Sequence, residues 1–128
     1  MDLLLDSHPI LWSIYEPDRL STTAAVFIAD RTNTLFVSLG SLMEISHKAA
    51  FHKLPLVGPD ISPVLQQLAD LGCTVLPILQ EEVLAAATLP LIHGDPFDRL
   101  YFTQARGRGL TIVTKDPDVK KYDVPTIW

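Results

Sequence analysis

Short, strongly apolar runs recur along the chain at wide intervals and limit what it can fold into. They are "DLLLD" (2–6), "TLFVS" (34–38), "CTVLPI" (73–78) and "LTIVT" (110–114), with "VPTIW" (124–128) offering a short fifth. Each has the length and composition of a strand. No two are joined by the Asn-Gly or Asp-Gly type of connection that makes a hairpin. Helix-like segments fill the gaps instead. Strands that are apolar throughout and alternate with helices fit a parallel sheet covered on both faces. The expectation is one three-layer α/β domain over residues 1–128, without linker or repeat.

The helical segments carry their own punctuation. "HPILWSIY" places Ile10, Leu11 and Ile14 at helical spacing, with Pro9 acceptable in a first turn. These three are read as core; Trp12 and Tyr15 fit either core or a surface that receives a partner. In "LSTTAAVFIAD", Ser21 or Thr22 can cap a second helix. A third runs from Leu39 to His52 and breaks at "KLPLVGP". "SPVLQQLADLG" has Pro63 in its first turn and Gly72 at its end. "EEVLAAATL" and residues 97–107 complete the set.

Composition narrows the class further. At 128 residues, 48% hydrophobic and 20% charged, the chain can bury its own core and is not a disordered one. A net charge of −5 argues against nucleic-acid binding by bulk electrostatics, so any such binding needs a local basic surface or a metal ion. The single cysteine, Cys73, cannot form an internal disulfide and reads as a small buried hydrophobe. "MDLLLDSHP" lacks the positive charge of a secretory signal, and no apolar run nears the about 18 residues of a membrane span. A cytoplasmic location is expected.

In open parallel sheets, ligands bind beyond the carboxyl ends of the strands. Asp6 ends the first strand, and Asp116 follows the strand "LTIVT" by two residues. If these strands are neighbours, the two acids meet at one edge. Asp98 opens the helix that leads into "LTIVT", where an acid also suits the helix dipole. Asp95, before Pro96, fits an N-cap or turn. Glu44 lies in the helix after the second strand, where Lys48 four residues on would explain it as an exposed pair. Singly, each acid has an ordinary structural explanation. Together, three or four carboxylates at one edge would repel unless a cation neutralised them. An all-oxygen site suits Mg²⁺ or Mn²⁺ acting on phosphate groups. Ser7, Ser38 and Thr114 lie near the same strand ends and could hold those carboxylates or cap helices.

The pieces "LLLDSHPILW", "VSLGSLMEISHKAAFHKLPL", "HGDPFDRLYFTQA", "LTIVTKDP" and "YDVPTIW" occur in an order and spacing that resembles, nearly end to end, the PIN-domain family and within it the VapC-type toxins of bacterial toxin–antitoxin pairs. The resemblance implies a Mg²⁺-dependent endoribonuclease, with Mn²⁺ able to substitute. It implies Asp6, Glu44, Asp98 and Asp116 as catalytic metal ligands, with Asp95 supporting them. It also implies an RNA substrate, an antitoxin partner and a homodimer, and the positive mean hydropathy of +0.24 fits a covered apolar patch. The helices at 8–15 and 42–51 are the candidates for gripping a partner. The chain departs from the family pattern at Met43, where relatives often carry tryptophan, at Gly94, where many carry a basic residue, and in "YFTQA", which replaces a more aliphatic run.

Other readings remain open at this point. A non-catalytic PIN-like interaction module would keep the acids, and a phosphoryl-transfer domain would want an acid pair at the first strand. The four histidines match no zinc motif; His8 and His93 flank Asp6 and the "DPFDR" piece, so either could approach substrate, but a helix-terminal or surface role is expected. Six of the ten Lys and Arg residues lie from Arg99 onward, either a solvated surface or a rim that guides phosphates.

Overall fold

A computed structural model describes residues 1–128. Five strands, β1 (Asp2–Leu5), β2 (Thr34–Ser38), β3 (Thr74–Leu76), β4 (Thr111–Val113) and β5 (Thr126–Ile127), form one sheet in the order β3-β2-β1-β4-β5. Every pairing is parallel. Six helices connect them: α1 (Ser7–Tyr15), α2 (Thr22–Ala29), α3 (Leu39–Ala50), α4 (Ser62–Asp70), α5 (Gln80–Ala86) and α6 (Pro96–Arg108). Short 3₁₀ turns cover Pro17–Arg19 and Pro117–Tyr122.

The alternation of side chains along β1 sorts the core into two halves. Leu3 and Leu5 point to one face and pack with Ile10, Leu42, Ile45, Val64 and Leu68 from α1, α3 and α4. Leu4 points to the other and packs with Tyr101, Phe102 and Ala105 of α6, with Ile112, and with Val119 and Tyr122. The result is the expected α/β/α sandwich with β1 at its centre. The neighbours of β1 are β2 and β4, and because all three run parallel their carboxyl ends lie side by side at the same end of the sheet.

The expected elements are present, with instructive differences at β3 and α5. The run 73–78 yields only three strand residues, and β3 is an edge strand with Thr74 and Val75 exposed, so it is not covered on both faces. Pro77 stops it, because it brings no N–H to the ladder. Helix α5 ends at Ala86 rather than Leu89, since tight turns at Thr88 and Leu89 carry Leu89 inward to the core. Ser21, not Thr22, caps α2. Gly72 has φ +77° beyond the last turn of α4, which lets Cys73 N donate to Leu68 O and close the helix. Ile10 is fully buried, Leu11, Ile14 and Tyr15 are partly buried against the core, and Trp12 is core. Cys73 also packs against that core, and burial pushes its thiol up to about 11. No helix is long and apolar enough to cross a membrane.

Candidate metal centre

The edge where β1, β2 and β4 end is where the acids collect. Asp6 follows the last residue of β1 and caps α1, so strand end and helix start are one residue. Its Oδ1 accepts from Ser7 N at 2.6 Å and its Oδ2 from Thr114 Oγ1 at 2.7 Å. Thr114 comes directly after β4, and the parallel pairing of β1 with β4 brings the two together across 108 residues of sequence.

Glu44 lies on the inward face of α3 and is only 9% exposed, so it is not the exposed helix pair that its spacing to Lys48 suggests. The pair does form, with Lys48 Nζ 2.8 Å from Oε1, while Oε2 accepts from Ser7 Oγ at 2.6 Å. That hydrogen bond with Glu44, opposed by burial and aided by Glu44, Asp95 and Asp98, holds the Lys48 ammonium above its ordinary range.

Asp95 and Asp98 stand at the start of α6. Asp95 is its N-cap and accepts from Phe97 N at 2.8 Å and Asp98 N at 3.3 Å. Capping is not its whole environment, because Glu44, Asp95 and Asp98 each place a carboxylate oxygen within 4.8 Å of the others. Asp98 accepts no hydrogen bond from side chain or backbone. Burial, then the charges of Asp95, Glu44 and Asp6, push its carboxyl up to about 7 against a weaker opposing pull from His93. Asp116 caps the 3₁₀ turn after β4, accepting from Asp118 N at 2.9 Å through Oδ1. Its Oδ2 lies 2.6 Å from His93 Nε2. Burial would raise its carboxyl, but the bonds from His93 and Asp118 N, with the charges of His93 and Lys121, hold it below the ordinary range.

These side chains line one cavity of about 290 Å³, bounded by Asp6, Ser7, His8, Glu44, Lys48, Asp95, Asp98, Tyr101, Lys115 and Asp116. Five carboxylates face two lysines there. The clustered donors are carboxylate oxygens, which fits a hard divalent cation, and His8 is the one nitrogen donor on the lining, fewer than zinc sites usually have. All four expected ligands line this cavity, but the carboxylate oxygens that lie within 4.8 Å of one another are those of Glu44, Asp98 and Asp95; Asp6 and Asp116 stand outside that group.

Several expectations need correction. Of the two roles open to the three hydroxyls, Ser7 and Thr114 hold carboxylates, whereas Ser38 takes the capping one and accepts from Gly40 N at the start of α3. His93 is neither helix-terminal nor a surface residue: it is half-buried and bonded to Asp116 and Tyr122. The basic stretch is only in part a free rim. Arg99 donates to the carbonyls of Ala86, Leu89 and Pro90, and Arg108 to Glu82, while Lys121 pairs with Asp118. Lys115 remains at the cavity, joined by Lys48, which the reading of the C-terminal stretch left out. The i,i+4 spacing to Glu44 signals Lys48, and His93 flanks "DPFDR" in sequence, but its bonds to Asp116 and Tyr122 are made only by the fold.

The sequence pattern that defines the PIN domain matches residues 3–125. The chain is 36% identical to Ribonuclease VapC22 of Mycobacterium tuberculosis over 130 aligned positions, covering 98% of each. Its fold is similar to a chain in the crystal structure of VapBC2 from Rickettsia felis bound to a promoter DNA fragment, with a TM-score of 0.70 at 14% identity over 99% of this chain and 98% of that one. A chain of FitAB bound to a DNA fragment gives a TM-score of 0.64 at 19% identity, covering 98% and 93%.

Proposed function

The chain belongs to the PIN-domain family, and from that premise we propose that it is a Mg²⁺-dependent endoribonuclease, Mn²⁺ substituting, and the toxin of a toxin–antitoxin pair. One observation carries the reading. Five carboxylates arrive from four separate elements at a single cavity, and the most crowded of them, Asp98, is left without a donor. Such an arrangement is costly unless a cation completes it. The relative at 36% identity is named a ribonuclease, which supports RNA as the substrate class.

The residues divide the work by position. Asp6, Glu44, Asp98 and Asp116 hold the cation, and Asp95 adds negative charge from the turn that opens α6. The chemistry that a divalent ion would supply there is charge neutralisation at the scissile phosphate and activation of water for its hydrolysis. Ser7 and Thr114 fix the carboxylates of Glu44 and Asp6, so these need not reorganise when RNA arrives. Lys48 and Lys115 stand at the cavity as cations for the phosphates on either side of the cleavage point. Residues 1–128 act as one domain in this reading.

The protein is also proposed to form a homodimer and to bind an antitoxin. A groove of about 290 Å³ lined by Leu11, Trp12, Tyr15, Leu54, Leu56 and Val57 supports an apolar contact at α1. Met43 and Phe51, on and beyond α3, are more than half exposed. The nuclease reading is tested on metal-stripped protein given Mg²⁺, Mn²⁺ or EDTA with a panel of structured and unstructured RNAs. Cleavage restored by the metals supports it, and cleavage undiminished in EDTA, or none under any condition, refutes it.

A further inference from the structure

His93 is not on the lining of the acidic cavity, but it bonds Asp116, which is. Its Nε2 is 2.6 Å from Asp116 Oδ2, and its Nδ1 is 2.6 Å from the Tyr122 hydroxyl. Its backbone N–H donates to that same hydroxyl at 2.8 Å. The ring lies against Phe102 at 4.9 Å between centroids, edge to face, and the side chain is only 14% exposed. An imidazole with both nitrogens engaged and its ring packed has one orientation.

The proton positions follow from the partners. An ionised carboxylate can only accept, so Nε2 carries the hydrogen and donates to Asp116. The Tyr122 hydroxyl accepts from the His93 backbone and can donate to Nδ1 of a neutral ring or accept from Nδ1 of a charged one, so the contact holds in both states of the imidazole. Tyr122 is 1% exposed and belongs to the core, so the imidazole is anchored from the interior outward.

Asp116, by contrast, needs anchoring. Its side chain is 37% exposed, and apart from His93 its contact is the local cap to Asp118 N through the other oxygen. His93 sits two residues before Asp95, in the turn that leads into α6. Arg99 ties the preceding carbonyls of Ala86, Leu89 and Pro90 back to that helix, so the turn itself is fixed. The bond from Nε2 therefore links the turn that carries Asp95 and Asp98 to the loop that carries Asp116.

We propose that His93 is a positioning residue: it clamps Asp116 to the opening turn of α6 and so sets the spacing of the carboxylates across the metal centre. The inference rests on the reading of that cavity as a metal centre. Groups that orient a ligating carboxylate or imidazole are typically worth about 10- to 100-fold in metal affinity. His93→Ala is expected to weaken Mn²⁺ binding within that range. His93→Gln, whose amide nitrogen can reach the same oxygen, should recover most of it. Tyr122→Phe keeps the ring packing but frees the imidazole, and should weaken binding several-fold.

The experiment is a Mn²⁺ titration by electron paramagnetic resonance on the full chain and the three variants, alongside melting curves in EDTA and in saturating Mn²⁺. The clamp predicts a smaller Mn²⁺-induced rise in Tm for His93→Ala than for His93→Gln. A role confined to packing would lower Tm equally with and without metal and leave the affinity unchanged, and that result overturns the clamp. If His93→Ala does not fold, Tyr122→Phe decides, and parental affinity in that variant overturns it. A parental protein that binds no Mn²⁺ refutes the metal centre, and the clamp with it, whereas parental binding matched by His93→Ala refutes the clamp alone.

Discussion

Asp98→Asn tests the electrostatics of the cavity most directly, because it separates folding from function. The carboxyl is pushed up to about 7 from an ordinary 3.8, first by burial and then by Asp95, Glu44 and Asp6. A carboxyl whose folded pKa is raised favours the folded state only while protonated. Its penalty therefore grows as pH rises from about 4 to about 7 and is constant above. Taken whole, the shift corresponds to about 4 kcal/mol at 1.36 kcal/mol per pKa unit. The side chain is partly open to solvent, and screening brings the figure nearer about 2 kcal/mol. Asparagine has the same shape without the charge, and it gives back about 0.5 kcal/mol by losing an acid from the first turn of α6. Urea denaturation in EDTA should thus find the variant about 1.5 kcal/mol more stable than the parent at pH 8, and no more stable at pH 4. The same variant should gain no stability from Mg²⁺ or Mn²⁺ and should not cleave RNA. Equal stability of variant and parent at pH 8 in EDTA would refute the claim that these acids are in conflict without a cation.

Other perturbations isolate other parts of the site. Asp6→Asn and Glu44→Gln should each lower the initial rate of metal-dependent RNA cleavage at least about 100-fold, while circular dichroism stays parental. Asp95→Asn keeps an N-cap acceptor, so its loss should be smaller and its Tm unchanged within about 2 °C; a loss equal to that of Asp98→Asn would make Asp95 a ligand of the same rank. Ca²⁺ accepts the same oxygens but at longer distance and with more ligands, so added to the Mg²⁺ reaction it should inhibit, and acceleration by Ca²⁺ would contradict the fit to a small octahedral ion. Arg99→Ala removes a guanidinium from three carbonyls and should cost about 2 kcal/mol in chemical denaturation, with no change there meaning that the turn before α6 stands without it.

What the sequence made legible is what one strand or one helix decides by itself. The apolar run of β1, the proline and aspartate that open α6, and the Gly72 stop are local instructions, and the fold follows them. The edge position of β3 was not legible, since Val75 looks as apolar as the buried Val37 and only strand order separates them. Asp6 and Asp116 could be brought together because a parallel sheet puts its strand ends on one side, whatever the loops do. His93 could not be, for its partners lie 23 and 29 residues away and no periodicity joins them. Arg99 and Arg108 misled for the opposite reason. A cluster of cations in sequence says nothing about which carbonyls and carboxylates the fold will offer them, and here it offers enough to occupy both.

The distribution of donors around the acids gives the cavity its direction. Asp6 has Ser7 N and Thr114, Glu44 has Ser7 and Lys48, Asp95 has the first amides of α6, and Asp116 has His93 and Asp118 N. Each of these four is satisfied from behind, by groups that belong to the framework. Asp98 has no such donor, yet it stands within reach of Glu44 and Asp95 and feels Asp6 as well. A framework built to avoid repulsion would have placed a donor there or removed the acid. With four carboxylates met by framework donors and the fifth left without one among them, a cation would be attracted most strongly at Asp98, and because burial and its acidic neighbours push that carboxyl up to about 7, binding near neutral pH would release a proton from it.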